Sequence, residues 1–283
     1  MTQQPFKVGL IGRGIGASRS PRMHEREALA NGWQLVYTLF DFATLELSER
    51  DLPRMLDTLE HDGYAGTNVT HPYKQAIMPH LDGLSGEAEN VGAVNTVSFR
   101  DGRRIGYNTD VSGFEAAFAR TLDRAALDDV VQIGAGGAGS ATAYALLELG
   151  ARRLTLYDID EQRVRALIER LTVHFDSSAI TLCTDLGAAL GRADGIVNAT
   201  PMGMAEYPGM PIPEGSLQSR HWVADVVYFP LETALLAAAR RVGCRTMDGS
   251  GMAVWQAAGA FEIFTGHPAD AARMARTFLS FDR

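Results

Sequence analysis

Two kinds of stretch alternate along the chain. Apolar runs at residues 7–11, 33–40, 64–69, 130–133, 180–184, 195–198, 222–227 and 245–247 have the length and continuity of strands buried on both faces. Between them, apolar residues recur at helical spacing over residues 52–59, 87–91, 110–122, 162–171, 233–242 and 270–279, and a further helix is predicted to open at 248–251 and run to about 265. This alternation predicts an α/β protein with largely parallel sheets. No repeat, low-complexity run or Ser/Pro-rich linker interrupts it.

The sharpest local pattern lies at residues 129–160. The run Val130-Val131-Gln132-Ile133 meets Gly134-Ala135-Gly136-Gly137-Ala138-Gly139, an Ala/Leu-rich segment reaches Leu149, and Gly150 precedes a second apolar run that ends at Asp158. That is the order strand, glycine turn, helix, strand. Gly134 permits the tight turn, Gly136 lets backbone approach a pyrophosphate, and Gly139 lets helix and strand come close. Backbone N–H groups at the helix start then face the phosphates. An acid at the end of the second strand accepts hydrogen bonds from a ribose 2′-OH and repels a 2′-phosphate, so Asp158 favours NAD over NADP. Asp160 could share that role, and the nearest following arginine is Arg163.

Composition narrows the functional classes. The 283 residues suffice for two ordinary domains. With 46% hydrophobic and 21% charged residues and a net charge of -8, neither nucleic acid nor an anionic membrane surface is an expected partner. Cys183 and Cys244 lack the spacing of a zinc site or a disulfide framework and read as buried thiols. The seven histidines form no i,i+4 pair, so no metal is expected. No apolar segment reaches transmembrane length and the N-terminus lacks a signal-peptide pattern, which makes a cytoplasmic location the expectation.

Polar residues collect where the predicted strands end. After the first strand come Gly12, Gly14 and Gly16, then Ser18, Ser20 and Pro21, with Ser20 predicted as a helix cap; two hydroxyls beside a helix start also suit a carboxylate. Asn68, Thr70 and Lys74 follow the strand at 64–69, and Lys74 falls in a predicted first helical turn, where the macrodipole disfavours a cation. Asn95 interrupts an apolar run, and Asn108-Thr109-Asp110 reads as a helix cap. Past the fingerprint, Asn198-Ala199-Thr200-Pro201-Met202-Gly203 begins a long proline-bearing loop, and Tyr228 follows a strand that contains Asp225.

Six of these segments, in this order, resemble the shikimate dehydrogenase family over nearly the whole chain: Ser18-Arg19-Ser20-Pro21, Asn68-Val69-Thr70 with Pro72 and Lys74, Gly92-Ala93-Val94-Asn95-Thr96, Gly106 to Asp110, Asn198 to Gly203, and Met252 with Gln256. The resemblance implies an N-terminal, mainly parallel α/β substrate domain at 1–112, a Rossmann-type dinucleotide-binding domain at 113–251, and C-terminal helices from about 252 to 283 that return to the first domain. Substrate would lie in the cleft between the domains. Lys74 and Asp110 would be catalytic, and Ser18, Ser20, Asn68, Thr70, Asn95, Tyr228 and Gln256 would bind substrate. Val226 and Gly249 would join Asn198, Thr200, Met202, the glycine turn and Asp158 around NAD.

Five positions refine the resemblance. His71 and Tyr73 in the lysine loop, together with Asp158, resemble the NAD-dependent quinate/shikimate dehydrogenase branch, whereas Ala253 stands where the family usually has leucine. Some quinate-using members have threonine in place of Ser20, which points to shikimate as the better substrate here. The expected activity is hydride transfer between NAD and a ring hydroxyl of shikimate or quinate, with Lys74 as acid/base, by a monomer or homodimer. A catalytically weak ligand-sensing homologue and an aminoshikimate-pathway dehydrogenase are the alternatives. A methylenetetrahydrofolate dehydrogenase would want an aromatic-lined slot that these loops do not offer.

Overall fold

The computed structural model describes residues 5–280 and divides into two compact units. One runs to Thr109 and resumes at Val254; the other comprises Asp110–Ala253. The first unit begins with β1 (Phe6–Gly12), α1 (Ser20–Ala30), β2 (Leu35–Asp41), α2 (Leu52–His61) and β3 (Gly66–Val69). It continues through the short β4 (Gly83–Leu84), α3 (Gly86–Val91), β5 (Thr96–Arg100) and β6 (Arg103–Tyr107). The sheet order is β2-β1-β3-β5-β6-β4. β1 is parallel to β2 and β3, and β4 to β6, but β5 runs antiparallel to both its neighbours. Towards β6 the reason is a two-residue hairpin, in which Asp101 and Gly102 both take positive φ (55° and 66°) between the paired Arg100 and Arg103.

Burial follows the apolar pattern. On α2, Leu52, Leu56 and Leu59 form one stripe, and they join Ile11, Phe42, Val69, Tyr73, Ile77 and Val97 in a single core.

The second unit contains α4 (Asp110–Thr121), β7 (Val130–Ile133), α5 (Gly137–Glu148), β8 (Leu154–Tyr157), α6 (Glu161–Leu171), β9 (Ile180–Leu182), α7 (Leu186–Arg192), β10 (Gly195–Asn198), β11 (Trp222–Asp225), α8 (Ala234–Val242) and β12 (Arg245–Met247). Its sheet is parallel throughout, in the order β12-β11-β10-β7-β8-β9. That is the doubly wound dinucleotide-binding arrangement, whose strand order reverses between β7 and β10. Every residue of β7, β10 and β11 is buried, as expected when helices cover both faces. At Gly195 an added Cβ would lie 2.0 Å from the Trp222 ring, so the indole claims that space.

Two C-terminal helices complete the chain: α9 (Gly249–Thr265), which carries the division at Ala253/Val254, and α10 (Ala271–Leu279). α10 lies along α1. Cys244 is buried as expected, whereas Cys183 is only partly so. Among the described residues, no helix is long and apolar enough to cross a membrane, and no three His, Cys, Asp or Glu side chains are grouped to hold a metal ion.

Candidate functional site

In the second unit the predicted cofactor residues share one sheet edge. Gly134 leaves β7 at φ 106°, and its Cβ site is 2.7 Å from the Ala199 carbonyl. At Gly139 the Cβ site is only 2.2 Å from the Gly134 oxygen, whereas around Gly136 nothing comes within 4 Å. Two glycines are thus demanded by the protein itself, and the third faces open space at the start of α5. Gly137 and Ala138 lie in the first turn of α5, where N–H groups lack intrahelical partners. The turn therefore fits a dinucleotide pyrophosphate.

Asp158 follows β8 and is tied to that turn: Oδ2 accepts the Ala135 N–H at 2.8 Å, and Oδ1 accepts the Asp160 N–H at 3.0 Å. Asp160 instead caps α6, accepting from Gln162 N, and lies 3.3 Å from Arg163. The arginine nearest after Asp158 is thus drawn to another carboxylate.

At the end of β10, Asn198 is fully buried. Its Nδ2 donates to Met202 O and to Asp225 Oδ1, both at 2.9 Å, and its Oδ1 accepts the Thr200 hydroxyl at 2.7 Å. Asp225 Oδ1 also accepts Val227 N–H at 3.0 Å, and Oδ2 accepts the Thr233 hydroxyl at 2.7 Å. The Asp225 carboxyl is raised to about 6: burial, aided by the Asp248 charge, outweighs the hydrogen bonds from Thr233, Val227 and Asn198 that pull it down. Asn198 and Asp225 thereby fix the segments carrying Thr200, Met202, Val226 and Tyr228. Tyr228 itself is exposed. Gly249 opens α9 with its Cβ site 2.5 Å from the Val226 oxygen, a space that no larger residue could enter unchanged. A cavity of about 370 Å³ lies just past this segment, lined by Gly203, Met204, Pro208, Gly209, Phe229 and Pro230; none of the predicted site residues lines it.

In the first unit the predicted substrate residues gather on loops after β1 and β3, around Asn95 and on α9. Helix α1 starts at Ser20, so the capping position belongs to Arg19 rather than to Ser20 as expected; no side chain caps it, and the Ser18 hydroxyl accepts Ser20 N–H at 3.3 Å. Both serines are half-exposed, while Arg19 between them is buried, with Nη1 donating to Phe278 O at 3.0 Å and the guanidinium 4.6 Å from the Phe278 ring. Asp41 holds the preceding glycine loop by accepting Gly14 and Ile15 N–H, each at 2.9 Å.

Lys74 is half-buried in a succession of turns, not in the helix expected for it. Its carbonyl accepts Val94 N–H at 2.8 Å, and Met78 N–H donates to Gln75 O instead, so a helical bond to residue 74 never forms. Thr70 is half-buried beside it, with its N–H donating to Ile11 O.

Asn68 and Asn95 lie in one buried network. Asn68 Oδ1 accepts the Tyr37 hydroxyl at 2.8 Å, while Nδ2 donates to Thr96 Oγ1 at 2.9 Å and Asn95 O at 3.2 Å. Both amide protons are committed, which leaves Asn68 a lone pair on Oδ1 for any ligand. Asn95 Nδ2 donates to Thr109 Oγ1, and the Thr109 hydroxyl is also 3.0 Å from Gln256 O, so Thr109 links Asn95 to the helix bearing Gln256. Asp110 begins α4 in the second unit and is buried.

Reading the sequence missed the roles of Gln132, Asp225, Tyr37 and Asp41. For Gln132 and Asp225 the available signal was a polar residue inside an apolar strand.

Residues 10–97 match the shikimate dehydrogenase substrate binding domain, and residues 249–277 match the shikimate 5'-dehydrogenase C-terminal domain. A shikimate dehydrogenase (NADP(+)) from Streptomyces avermitilis is 51% identical over 276 residues, 97% of this chain and 95% of that one. The chain belongs to the shikimate dehydrogenase family. A second family member, the quinate/shikimate dehydrogenase (NAD(+)) of Corynebacterium glutamicum (strain R), is 47% identical over 276 residues, 96% of this chain and 98% of that one. Among solved structures of the family, quinate dehydrogenase from Corynebacterium glutamicum in complex with NAD superposes with a TM-score of 0.91 at 46% identity, covering 98% of this chain and all of that one. These relatives are oxidoreductases and share a nicotinamide dinucleotide; their names divide between NAD and NADP.

Proposed function

We propose that this protein is an NAD-dependent dehydrogenase that interconverts shikimate and 3-dehydroshikimate, with quinate and 3-dehydroquinate as a second pair. Family membership supports the shikimate/quinate dehydrogenase activity. The observation that carries the choice of NAD is the Asp158 carboxylate, anchored at the end of β8 by Ala135 and Asp160 N–H groups. A fixed carboxylate there accepts ribose hydroxyls and repels a 2′-phosphate.

Bound nicotinamide would accept or donate the hydride. The chain's own task is to hold the ring and move a proton at the reacting oxygen. Lys74 is the acid/base, and Asp110 is assigned the same oxygen by the family motif. Ser18 and Ser20 take the carboxylate, and Thr70, Asn95, Gln256 and the Asn68 carbonyl oxygen take hydroxyls, with Tyr228 near the carboxylate. Sites that hydrogen-bond hydroxyls reject analogues lacking them far better than analogues with one more. Shikimate and quinate are therefore both admissible, with Ser20 favouring shikimate. An aqueous-phase enzyme, monomeric or homodimeric, is the accompanying reading.

The test is reduced-cofactor formation with shikimate and with quinate, each offered NAD and NADP at alkaline pH, because alcohol oxidation releases a proton. Turnover with NAD is expected. Turnover with NADP alone would overturn the cofactor assignment, and none with either acid would overturn the activity.

A further inference from the structure

Gln132 occupies the third position of β7 and is fully buried, where a strand covered on both faces calls for an apolar side chain. Burying an amide is costly unless it is satisfied. Here Nε2 donates to Gly134 O at 2.9 Å and to Gly139 O at 2.8 Å, while Oε1 accepts the Thr142 hydroxyl at 2.8 Å. The orientation of the amide follows from its partners, since two carbonyls can only accept and the hydroxyl can donate.

The consequence is geometric. A planar trans peptide points its C=O and its N–H in opposite directions, so fixing both fixes the plane. For the peptide joining Gly134 to Ala135, Gln132 holds the oxygen and Asp158 holds the N–H. For the peptide joining Gly139 to Ser140, Gln132 holds the oxygen and Gly136 O accepts the N–H at 2.7 Å. One side chain thus clamps both ends of a turn built almost wholly of glycine and alanine. Such a turn has little of its own to resist backbone motion.

We propose that Gln132 is a positioning residue for the dinucleotide: it sets the Gly134–Gly139 turn before ligand arrives, so that the amides facing the pyrophosphate need no reordering on binding. The proposal rests on the dinucleotide reading of this turn. Preorganisation of this kind appears in affinity for the pyrophosphate-bearing ligand and not in the chemical step.

The experiment compares Gln132→Met, Gln132→Glu, Thr142→Val and Thr142→Ser with the wild type. Calorimetric affinity for NADH and for ADP-ribose, thermal unfolding, and steady-state kinetics with shikimate would be measured. Gln132→Glu keeps the volume and the acceptor for Thr142 but turns a carboxylate on two carbonyls. Both Gln132 variants are expected to weaken NADH and ADP-ribose binding about tenfold or more, the loss of roughly one net hydrogen bond. Their kcat at saturating cofactor and KM for shikimate should remain within about twofold, since the chemical step is untouched. Thr142→Val, which frees the amide to turn over, should show a smaller loss, and Thr142→Ser should restore wild-type affinity. Folded variants that bind NADH like the wild type would overturn the proposal. So would Gln132 variants that fail to fold alongside a folded Thr142→Val of unchanged affinity. A wild type that binds neither ligand would remove the dinucleotide reading and the proposal with it, whereas NADH binding without shikimate turnover would bear only on the substrate.

Discussion

Arg273 donates two hydrogen bonds to Glu27, at 2.7 and 3.0 Å, and so ties α10 to α1 across most of the chain's length. The Glu27 carboxyl has no exposed surface, and it also accepts Asp270 N–H at 2.9 Å. Burial works to raise its pKa, but the bonds from Arg273 and Asp270, the Arg273 charge and Asn31 outweigh burial and hold it below the usual carboxylate range. A carboxyl with a depressed folded pKa stabilises the fold fully above its unfolded value, near 4.3, and loses that contribution as pH falls through the lower folded value. Arg273→Leu should cost roughly 2–4 kcal/mol at neutral pH, short of the full penalty for a broken buried pair because Arg273 is partly exposed. Hydrogen exchange should locate the loss in α1 and α10. Glu27→Gln should flatten the acid limb of the stability curve; an unchanged limb would assign it to other carboxyls.

On the proposed reading, cofactor choice depends on Asp158. Asp158→Ser removes the carboxylate from the place where a 2′-phosphate would sit, and the ratio of kcat/KM for NAD over NADP should fall by roughly 10²-fold, the scale of a partly screened like-charge contact. NAD affinity itself should also drop, because Ala135 N–H loses its acceptor. A preserved ratio would show that selectivity lies elsewhere.

The three glycines of the turn separate protein demands from ligand demands. At Gly139 a methyl group would overlap the Gly134 carbonyl, so Gly139→Ala should destabilise the second unit by about 1–3 kcal/mol, the usual cost of overpacking. At Gly136 a methyl meets nothing within 4 Å, and φ is -78°, a value any residue adopts. Gly136→Ala should therefore unfold at or slightly above the wild-type temperature while binding NADH roughly tenfold or more weakly, because backbone can no longer approach the pyrophosphate. Unchanged NADH affinity in a stable Gly136→Ala would place the phosphates elsewhere.

Much of the second unit was legible because its signals are local. Glycines, an apolar run and a terminal acid lie within about one βαβ unit and required no knowledge of distant partners. The first unit was less so. Asp101-Gly102 is a turn dipeptide in the sequence, but which strands flank β5 depends on pairing with residues 66–68, and that pairing makes the sheet mixed. The segment around Lys74 carries a helical pattern, yet the long-range bond from Val94 N–H takes the carbonyl a helix would have used. Asn68 stood out as a polar residue at a strand end. Only the fold reveals that Tyr37 and Thr96 engage its amide, since Tyr37 arrives from β2, two strands away.

The acid/base assignment has a direct kinetic test. Lys74→Ala should lower kcat by roughly 10²–10⁴, the usual contribution of a positioned acid/base. NADH affinity should stay close to the wild-type value, since every predicted pyrophosphate contact lies in the second unit. Lys74→Ala turnover equal to that of the wild type would remove this lysine from the mechanism.

Asp225 should leave a signature opposite in sign to that of Glu27. Its carboxyl is raised to about 6, chiefly by burial and with the Asp248 charge contributing. Between the unfolded value near 3.9 and the folded value near 6, the unfolded chain gives up its proton while the folded chain keeps it, so stability falls as pH rises through that window. Asp225→Asn removes the titration. The substituted amide would retain an oxygen for Asn198 Nδ2 and Val227 N–H and turn its nitrogen towards Thr233, whose hydroxyl would have to accept where it now donates. The variant should therefore lose the decline in unfolding free energy between pH 4 and 6, worth up to about 3 kcal/mol at full ionisation by the usual conversion of a pKa difference. Above pH 7 its NADH affinity should stay within about threefold of wild type if the three bonds survive the swap, since a single lost bond would cost more than that. Chemical denaturation of both proteins across this range, with Glu27→Gln as the background to isolate the acid limb, reads the effect directly; a decline of equal size in Asp225→Asn would assign it to another group.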